Sequence, residues 1–313
     1  MIKSEIRRRL ETNREWSIYA LADLDDGMFE HCDWWTGAGD SLALVFRALD
    51  IRPIFVIGDA PQTRALLTAV NEPTGYLNLQ PHQLEAAEGL YACRERHKMN
   101  RMIMRDLAPR VGDVEVIDST HRHEVELLYA TGDGGGIAFA PFQLETGLFR
   151  GIRRGGELVA VAGVHVVSRQ ESVAGVGNVF THPGHRGRGY AQVVTSAVVA
   201  TLLETGITTI GLNVEHDNAA AIQAYERIGF RTSSYYFEGV ANRSASESEN
   251  PARLVRHQGI GGREDCARVV DAGFLVGCHG RNEIPEPGKT NRGSVLPGPP
   301  SSTWPGLSQV GGP

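Results

Sequence analysis

Two hydrophobic periods run through this 313-residue chain, and the places where one gives way to the other mark its elements. A charged helical start leads to Trp16, Ile18, Tyr19 and Leu21, then to a polar loop holding Asp23, Asp25, Asp26 and Gly27. The apolar runs at 42–46 and 53–58 read as buried strands. Pro61 suits a first helical turn, so a helix is predicted over 61–70, another over 81–90 and a strand near 99–105. Proline and glycine punctuate a linker at 107–113. Beyond it, a strand at 114–117 precedes a helix capped by Asp118 or Ser119 that runs through Tyr129. The glycine-rich stretch 131–136 reads as a flexible substrate-side loop, because no apolar-periodic helix follows it. A short helix at 142–148, strands at 158–167 and 172–181, a helix at 189–204, a strand at 209–214, a helix carrying Tyr225 and a strand at 231–239 complete the pattern.

The pattern fails past residue 240. Residues 241–313 hold 12 glycines and 8 prolines among 73 positions, about 27%, a proportion typical of low-complexity sequence. The expected organisation is therefore an N-terminal α/β domain over 1–107, a linker over 108–113, a second domain over 114–240 and a disordered tail over 241–313. Net charge of −6 and a pI near 6.0 argue against a general nucleic-acid or membrane-surface binder, leaving room for a local basic patch. No apolar run reaches the length of a membrane span, and the first residues lack a signal-peptide core, which points to a cytoplasmic protein. Cys32, Cys93, Cys266 and Cys278 lie far apart with no CxxC pair, so reduced thiols are expected and no metal site.

Two segments carry chemistry. In the first, a strand ending Val179-Phe180-Thr181-His182-Pro183 delivers the turn Arg186-Gly187-Arg188-Gly189-Tyr190-Ala191 to a helix start. Unpaired backbone N–H groups at such a start, backed by the positive helix end, cradle an anion. Gly187 and Gly189 allow close backbone approach, and Arg186 and Arg188 add charge-assisted donors. By itself the turn also fits a plain tight corner. In the second segment, Asp217 or Asn218 caps a helix on which Asn218, Ala221, Ile222 and Tyr225 share a face, with Gly229 and Phe230 at its end. Tyr225 there is either a proton donor or an ordinary core tyrosine.

Together, in this order, the two segments resemble the GNAT N-acetyltransferase superfamily. Its pattern Arg/Gln-x-x-Gly-x-Gly/Ala is matched by Arg186 through Ala191, and its pattern Asn-x-x-Ala-x-x-x-Tyr-x-x-x-Gly-Phe by Asn218, Ala221, Tyr225, Gly229 and Phe230. The resemblance covers roughly 114–239. It implies an α/β (α+β) fold with a mixed, mostly antiparallel sheet flanked by helices. The N-terminal α/β domain is then either a degenerate GNAT-like repeat or an unrelated cap. It also implies transfer of an acetyl group from acetyl-CoA, without a metal, to a primary amine of a small molecule, amino acid or peptide. In the family's arrangement the backbone of Val179, Phe180 and Thr181 pairs with the pantetheine arm, while 186–191 hold the pyrophosphate and Asn218 adds a cofactor contact. Thr181 departs from the aliphatic residue that many relatives carry, so its side-chain packing is in doubt while its backbone role survives.

The chemistry follows from these roles. The acceptor must lose a proton before its lone pair can attack the thioester. Backbone N–H groups of 179–181 then stabilise the oxyanion, one such donor lowering the barrier by roughly 2.7–4 kcal/mol. A neutral phenol protonates the leaving thiolate, the role expected of Tyr225. Glu215, at its strand end, is the candidate general base, directly or through water; a solvated carboxylate is the bland alternative. His165 lies on an apolar strand and reads as a core histidine, while His182 and His185 flank the corner. A CoA-binding sensor without turnover, its N-terminal half holding another ligand, is the competing function. A nucleic-acid contact at 186–189 lacks aromatic interleaving beyond Tyr190 and the repetition such segments show.

Overall fold

A computed structural model of the chain describes residues 2–93, 95–132, 139–244 and 254–258. The N-terminal helices are α1 (Ile2–Glu11), α2 (Ile18–Ala22) and α3 (Asp26–Phe29). Strands β1 (Cys32–Thr36), β2 (Leu42–Phe46) and β3 (Arg52–Ile57) form a meander, and α4 (Ala60–Val70) crosses to β4 (Thr74–Leu79). After α5 (Leu84–Ala87) come β5 (Tyr91–Cys93) and β6 (His97–Met104). The second segment runs β7 (Glu115–Ile117), α6 (Arg122–Tyr129), a 3-10 turn (Pro141–Thr146), β8 (Phe149–Arg154), β9 (Glu157–Ser168) and β10 (Val173–Thr181). It continues through α7 (Tyr190–Glu204), β11 (Thr209–Glu215), α8 (Ala219–Arg227) and β12 (Phe230–Arg243), and β13 (Val255–Gln258) is the last described strand.

Within the second segment most predicted elements appear near their expected bounds; the expected helix at 142–148 is the 3-10 turn. The first segment departs further. β1, β4 and β5 carried no clear signal: β1 is interrupted by the buried Asp33, and β4 holds Gly75 and Asn78, both poor strand formers. Tertiary pairing overrides these weak preferences.

All the described strands share one sheet, in the order β13-β1-β2-β3-β4-β12-β6-β11-β10-β9-β8-β7, with β5 alongside β12. The pairs β3/β4 and β10/β11 are parallel and the others antiparallel, giving the mixed, mostly antiparallel α/β sheet that the resemblance implied. The segments 1–107 and 114–240 are joined through that sheet. β6 sits between β11 and β12, pairing Met102 with Leu212 and Asn100 with Tyr235, and the far half of β12 pairs with β4.

One face is covered by α7 and α8 over a core that includes Val164, Val176, Val198, Leu212 and Phe230. On the other face, α1 and α2 bury Ile6, Leu10, Ile18 and Leu21 against Leu44 and Phe46 from the first segment and Ile103 and Val173 nearer the middle of the sheet. The low-complexity tail expected from 241 on is met differently at its start: β12 extends to Arg243, and β13 pairs with β1, where Arg256 donates to the buried Asp33 at 2.8 Å. From 259 onward the tail lies outside the described residues, as do 133–138 of the glycine-rich loop and both Cys266 and Cys278. Cys32 and Cys93 are free thiols. Among the described residues no helix is long and apolar enough to cross a membrane, and no cluster of His, Cys, Asp or Glu is placed to hold a metal.

Candidate active site

The site begins where two parallel strands part. β10 and β11 pair from Val173↔Thr209 to Val176↔Leu212 and no further, while β10 continues to Thr181 against β9. At the same point β10 changes from buried to half-buried, so its last five residues, 177–181, line an opening between the strands. The β10/β9 register slips between Gly177 and Phe180, a bulge centred on Asn178, whose φ of 54° is left-handed. The bulge is fixed from outside: Tyr129 Oη donates to the Asn178 carbonyl at 2.9 Å, and Asn178 Nδ2 donates to Gln143 Oε1 at 2.8 Å. Val179, Phe180 and Thr181 follow directly, with Phe180 packed edge-on to Tyr129. The Thr181 hydroxyl is buried with no hydrogen-bond partner among the described residues.

The turn after β10 opens α7. His182 Nδ1 accepts from the Gly184 amide at 3.0 Å and shapes the 3-10 turn Pro183–His185. Gly187 and Gly189 have φ of +76° and +78°, conformations that side chains resist, and a Cβ at either would meet nothing within 4 Å. Conformation, rather than crowding within the protein, is what requires glycine there. Val193 N, bonded to the Gly189 carbonyl at 3.2 Å, is the first α7 amide with a backbone acceptor among the described residues. The amides of Tyr190, Ala191 and Gln192 therefore point out of the helix start. Arg186 spends Nε on the Thr181 carbonyl at 3.2 Å and lies over Phe180, and Arg154 donates to Tyr190 Oη at 3.1 Å. Free amides, exposed Arg186 and Arg188 and open space above both glycines fit a pyrophosphate.

The second parallel crossover contrasts with the first. α4 follows β3 as α7 follows β10, but Asp59 caps it: Gln62 N donates to Asp59 Oδ1 at 2.8 Å, and Pro61 occupies the first turn. A carboxylate sits where an anion would have to bind. Of these two helix starts, only that of α7 is open.

Asn218 caps α8, its Oδ1 accepting from Ala221 N at 3.1 Å. Ala221, Ile222 and Tyr225 pack on the core beneath α7, and the Tyr225 ring meets Phe230 edge-on at 6.0 Å. Burial pushes the Tyr225 phenol up to about 12, so it stays protonated throughout the neutral range. Glu215 ends β11 on the opposite face of the sheet, with Oε1 3.9 Å from His97 Nδ1. Tyr225 and Glu215 are thus on different faces, separated by the strand opening.

On Glu215's face the structure assembles a group that sequence reading did not. His165 reaches across Gly177, and its Nδ1 lies 3.4 Å from Tyr19 Oη, which also accepts from Asn213 Nδ2 at 3.3 Å. Arg101 lies over the Tyr19 ring at 5.0 Å. Burial pushes His165 down to about 4, leaving it neutral, and its Nε2 has no hydrogen-bond partner among the described residues. The ring is half-buried and is joined to Tyr19 rather than isolated among apolar side chains. No local signal could have joined Tyr19, His165 and Asn213, because they come from α2, β9 and β11.

Comparison with known proteins agrees with this geometry. The model of the acetyltransferase (GNAT) family matches residues 119–230. Over 71 residues, 22% of this chain and 24% of the relative, the sequence is 37% identical to the mycothiol acetyltransferase of Mycobacteroides abscessus. It is 36% identical over 80 residues to that of Mycobacterium leprae, covering 23% of this chain and 26% of the relative. The matched stretch thus spans about a quarter of those relatives' length. A Drosophila protein solved by X-ray diffraction has the same fold with a TM-score of 0.55 at 13% identity, covering 77% of this chain and 96% of that one. With both motifs placed around the parting of β10 and β11, the segment 119–230 is a domain of the GNAT acetyltransferase family.

Proposed function

We propose that the chain is an N-acetyltransferase that moves an acetyl group from acetyl-CoA to the primary amine of a small molecule, amino acid or peptide by direct attack. The observation that carries this reading is the divergence of β10 from β11 after Val176, beside the open amides of Tyr190, Ala191 and Gln192. Such a site offers a slot for an extended arm and an anion cradle at its end. The partial matches to mycothiol acetyltransferases favour a small-molecule acceptor.

Bound acetyl-CoA would supply the activated thioester. The backbone of 186–191 holds and orients it, with Asn218 near the α8 start, and orientation alone contributes to rate by fixing the reacting atoms. Of the backbone N–H groups of Val179, Phe180 and Thr181 along the half-buried end of β10, those that alternate away from β9 face the developing oxyanion. Tyr225, neutral by burial, donates a proton to the departing sulfur. Glu215 receives the amine proton directly or through water. The first segment, 1–107, repeats the order of an antiparallel pair, a parallel pair and a crossover helix in β2-β3-α4-β4, as in β9-β10-α7-β11, which supports its reading as a degenerate repeat. Its capped α4 start accounts for a single cofactor site. We place the protein in the cytoplasm.

The test is thermal melting with acetyl-CoA, CoA and ATP, followed by thiol release with a panel of amines. A ligand at 100 times its Kd stabilises a fold by about 2.7 kcal/mol. Stabilisation by both CoA forms but not ATP, with amine-dependent thiol release, is the expected result. A folded protein unmoved by acetyl-CoA would remove the reading.

A further inference from the structure

We propose that the acceptor carries a second, protonated nitrogen, which is held by Asp23 in a cleft on the Glu215 face of the sheet. This inference rests on the acetyltransferase reading and names the substrate class of the same site. A cleft of about 260 Å³ lies between the α2–α3 turn, β9 and the 3-10 turn Pro141–Thr146, lined among others by Asp23, Asp25, Met28, Phe142, Gln143 and His165. Its inner wall adjoins the reaction site through two side chains. His165 rests against Gly177, and Gln143 holds Asn178 at the bulge.

Asp23 is 1% exposed, one carboxylate oxygen is fully buried, and neither oxygen has a hydrogen-bond partner among the described residues. An unpaired carboxylate in such a place costs several kcal/mol unless it is neutralised or paired. The cations near the rim are committed elsewhere: Lys3 to Asp26 and the Leu24 carbonyl, and Arg7 to Glu171. Asp25 accepts from Ser168 Oγ at 2.7 Å, and burial, with Asp25 beside it, holds the Asp23 carboxyl well above the usual carboxylate range, a shift that a paired cation would reverse. Asp23 also lines an adjoining pocket with Trp16, Tyr19 and Phe55, where Arg101 already lies over the Trp16 and Tyr19 rings, so the ligand nitrogen is placed on the cleft side of Asp23. A ligand ammonium bonded to Asp23 satisfies the one buried acid that the protein leaves unpaired here. A primary amine at the far end of such a ligand then lies toward β10.

The experiment compares unbranched α,ω-diamines with the amino alcohols and monoamines of equal length on the full chain, by thiol release and by binding calorimetry. Diamines should show a KM lower by about tenfold to a hundredfold, the worth of one charge-assisted hydrogen bond. Asp23→Asn should erase that preference by raising the diamine KM to the monoamine value, and Asp25→Asn should weaken it. CoA-induced stabilisation of each variant controls for folding, and an Asp23→Asn chain that fails it leaves Asp25→Asn to decide. Equal KM for diamines and monoamines, or an Asp23→Asn enzyme that keeps the preference, overturns the inference and leaves the acetyltransferase reading intact. Diamine binding in the calorimeter without thiol release from any amine would instead overturn the enzymatic reading.

Discussion

The His165 imidazole lies against Gly177: a Cβ at residue 177 would sit 2.2 Å from Nε2 and 2.3 Å from Cε1. The ring occupies the side-chain position that β10 leaves vacant, at the residue where pairing with β11 has just ended. Gly177→Ala must therefore expel the ring from its place beside Tyr19. The expected cost is about 1–3 kcal/mol of stability from overpacking, with a loss of transfer rate and little change in CoA affinity. Adding His165→Ala to Gly177→Ala should recover most of the stability, and urea unfolding of the two single variants and the pair measures the coupling.

At Gly187 and Gly189 the penalty is conformational. Alanine at either position must adopt a left-handed φ at a cost of about 1 kcal/mol, or shift the amides of 190–192. Acetyl-CoA affinity should fall by about tenfold for Gly189→Ala, while Gly189→Asn, which tolerates that conformation better, should lose less. Calorimetry with CoA decides, and equal affinities across the three proteins would refute the cradle.

Tyr225→Phe removes the phenol and keeps the ring against Phe230. The expected result is a drop in kcat of about a hundredfold or more with the acetyl-CoA KM unchanged. Because burial holds the phenol near 12, it stays protonated across the neutral range, so its ionisation contributes no basic limb below about pH 11. Unchanged turnover in Tyr225→Phe would leave CoA binding without this acid and favour a sensor.

Two groups shifted by desolvation, His165 and Glu238, set opposite pH dependences. His165 is pushed down to about 4 by burial, so the unfolded chain binds the extra proton between 4 and 6.5 and stability is lost as pH falls through that window. The upper bound is about 3 kcal/mol, reduced because the ring is only half-buried. Glu238, buried beside Tyr236 Oη at 2.8 Å, is pushed up to about 8, so its contribution is complete below 4.5 and is lost as pH rises through 8. Glu238→Gln should therefore gain stability relative to the parent between pH 5 and 8.5, and His165→Gln should flatten the acid side. Urea midpoints at pH 5, 7 and 8.5 provide the check.

Most of the second segment was legible in the sequence because its information is local. The left-handed glycines at 187 and 189, the Asn218 cap and the helical face of Ala221, Ile222 and Tyr225 each depend on residues within two turns of one another. Those local features also carry the family resemblance. The placement of β6 between β11 and β12 had no such signature, because Met102 meets Leu212 and Asn100 meets Tyr235 across more than a hundred residues of chain. A strand buried on both faces shows no alternation that names its neighbours. The same holds for the cluster of Tyr19, His165 and Asn213 and for the unpaired Asp23, whose meaning comes from what surrounds them. The sequence determined the turn, the caps and the helix that build a cofactor end. The tertiary structure alone decided which polar groups face the acceptor, because burial and partnership are properties of the packed sheet and not of any one segment.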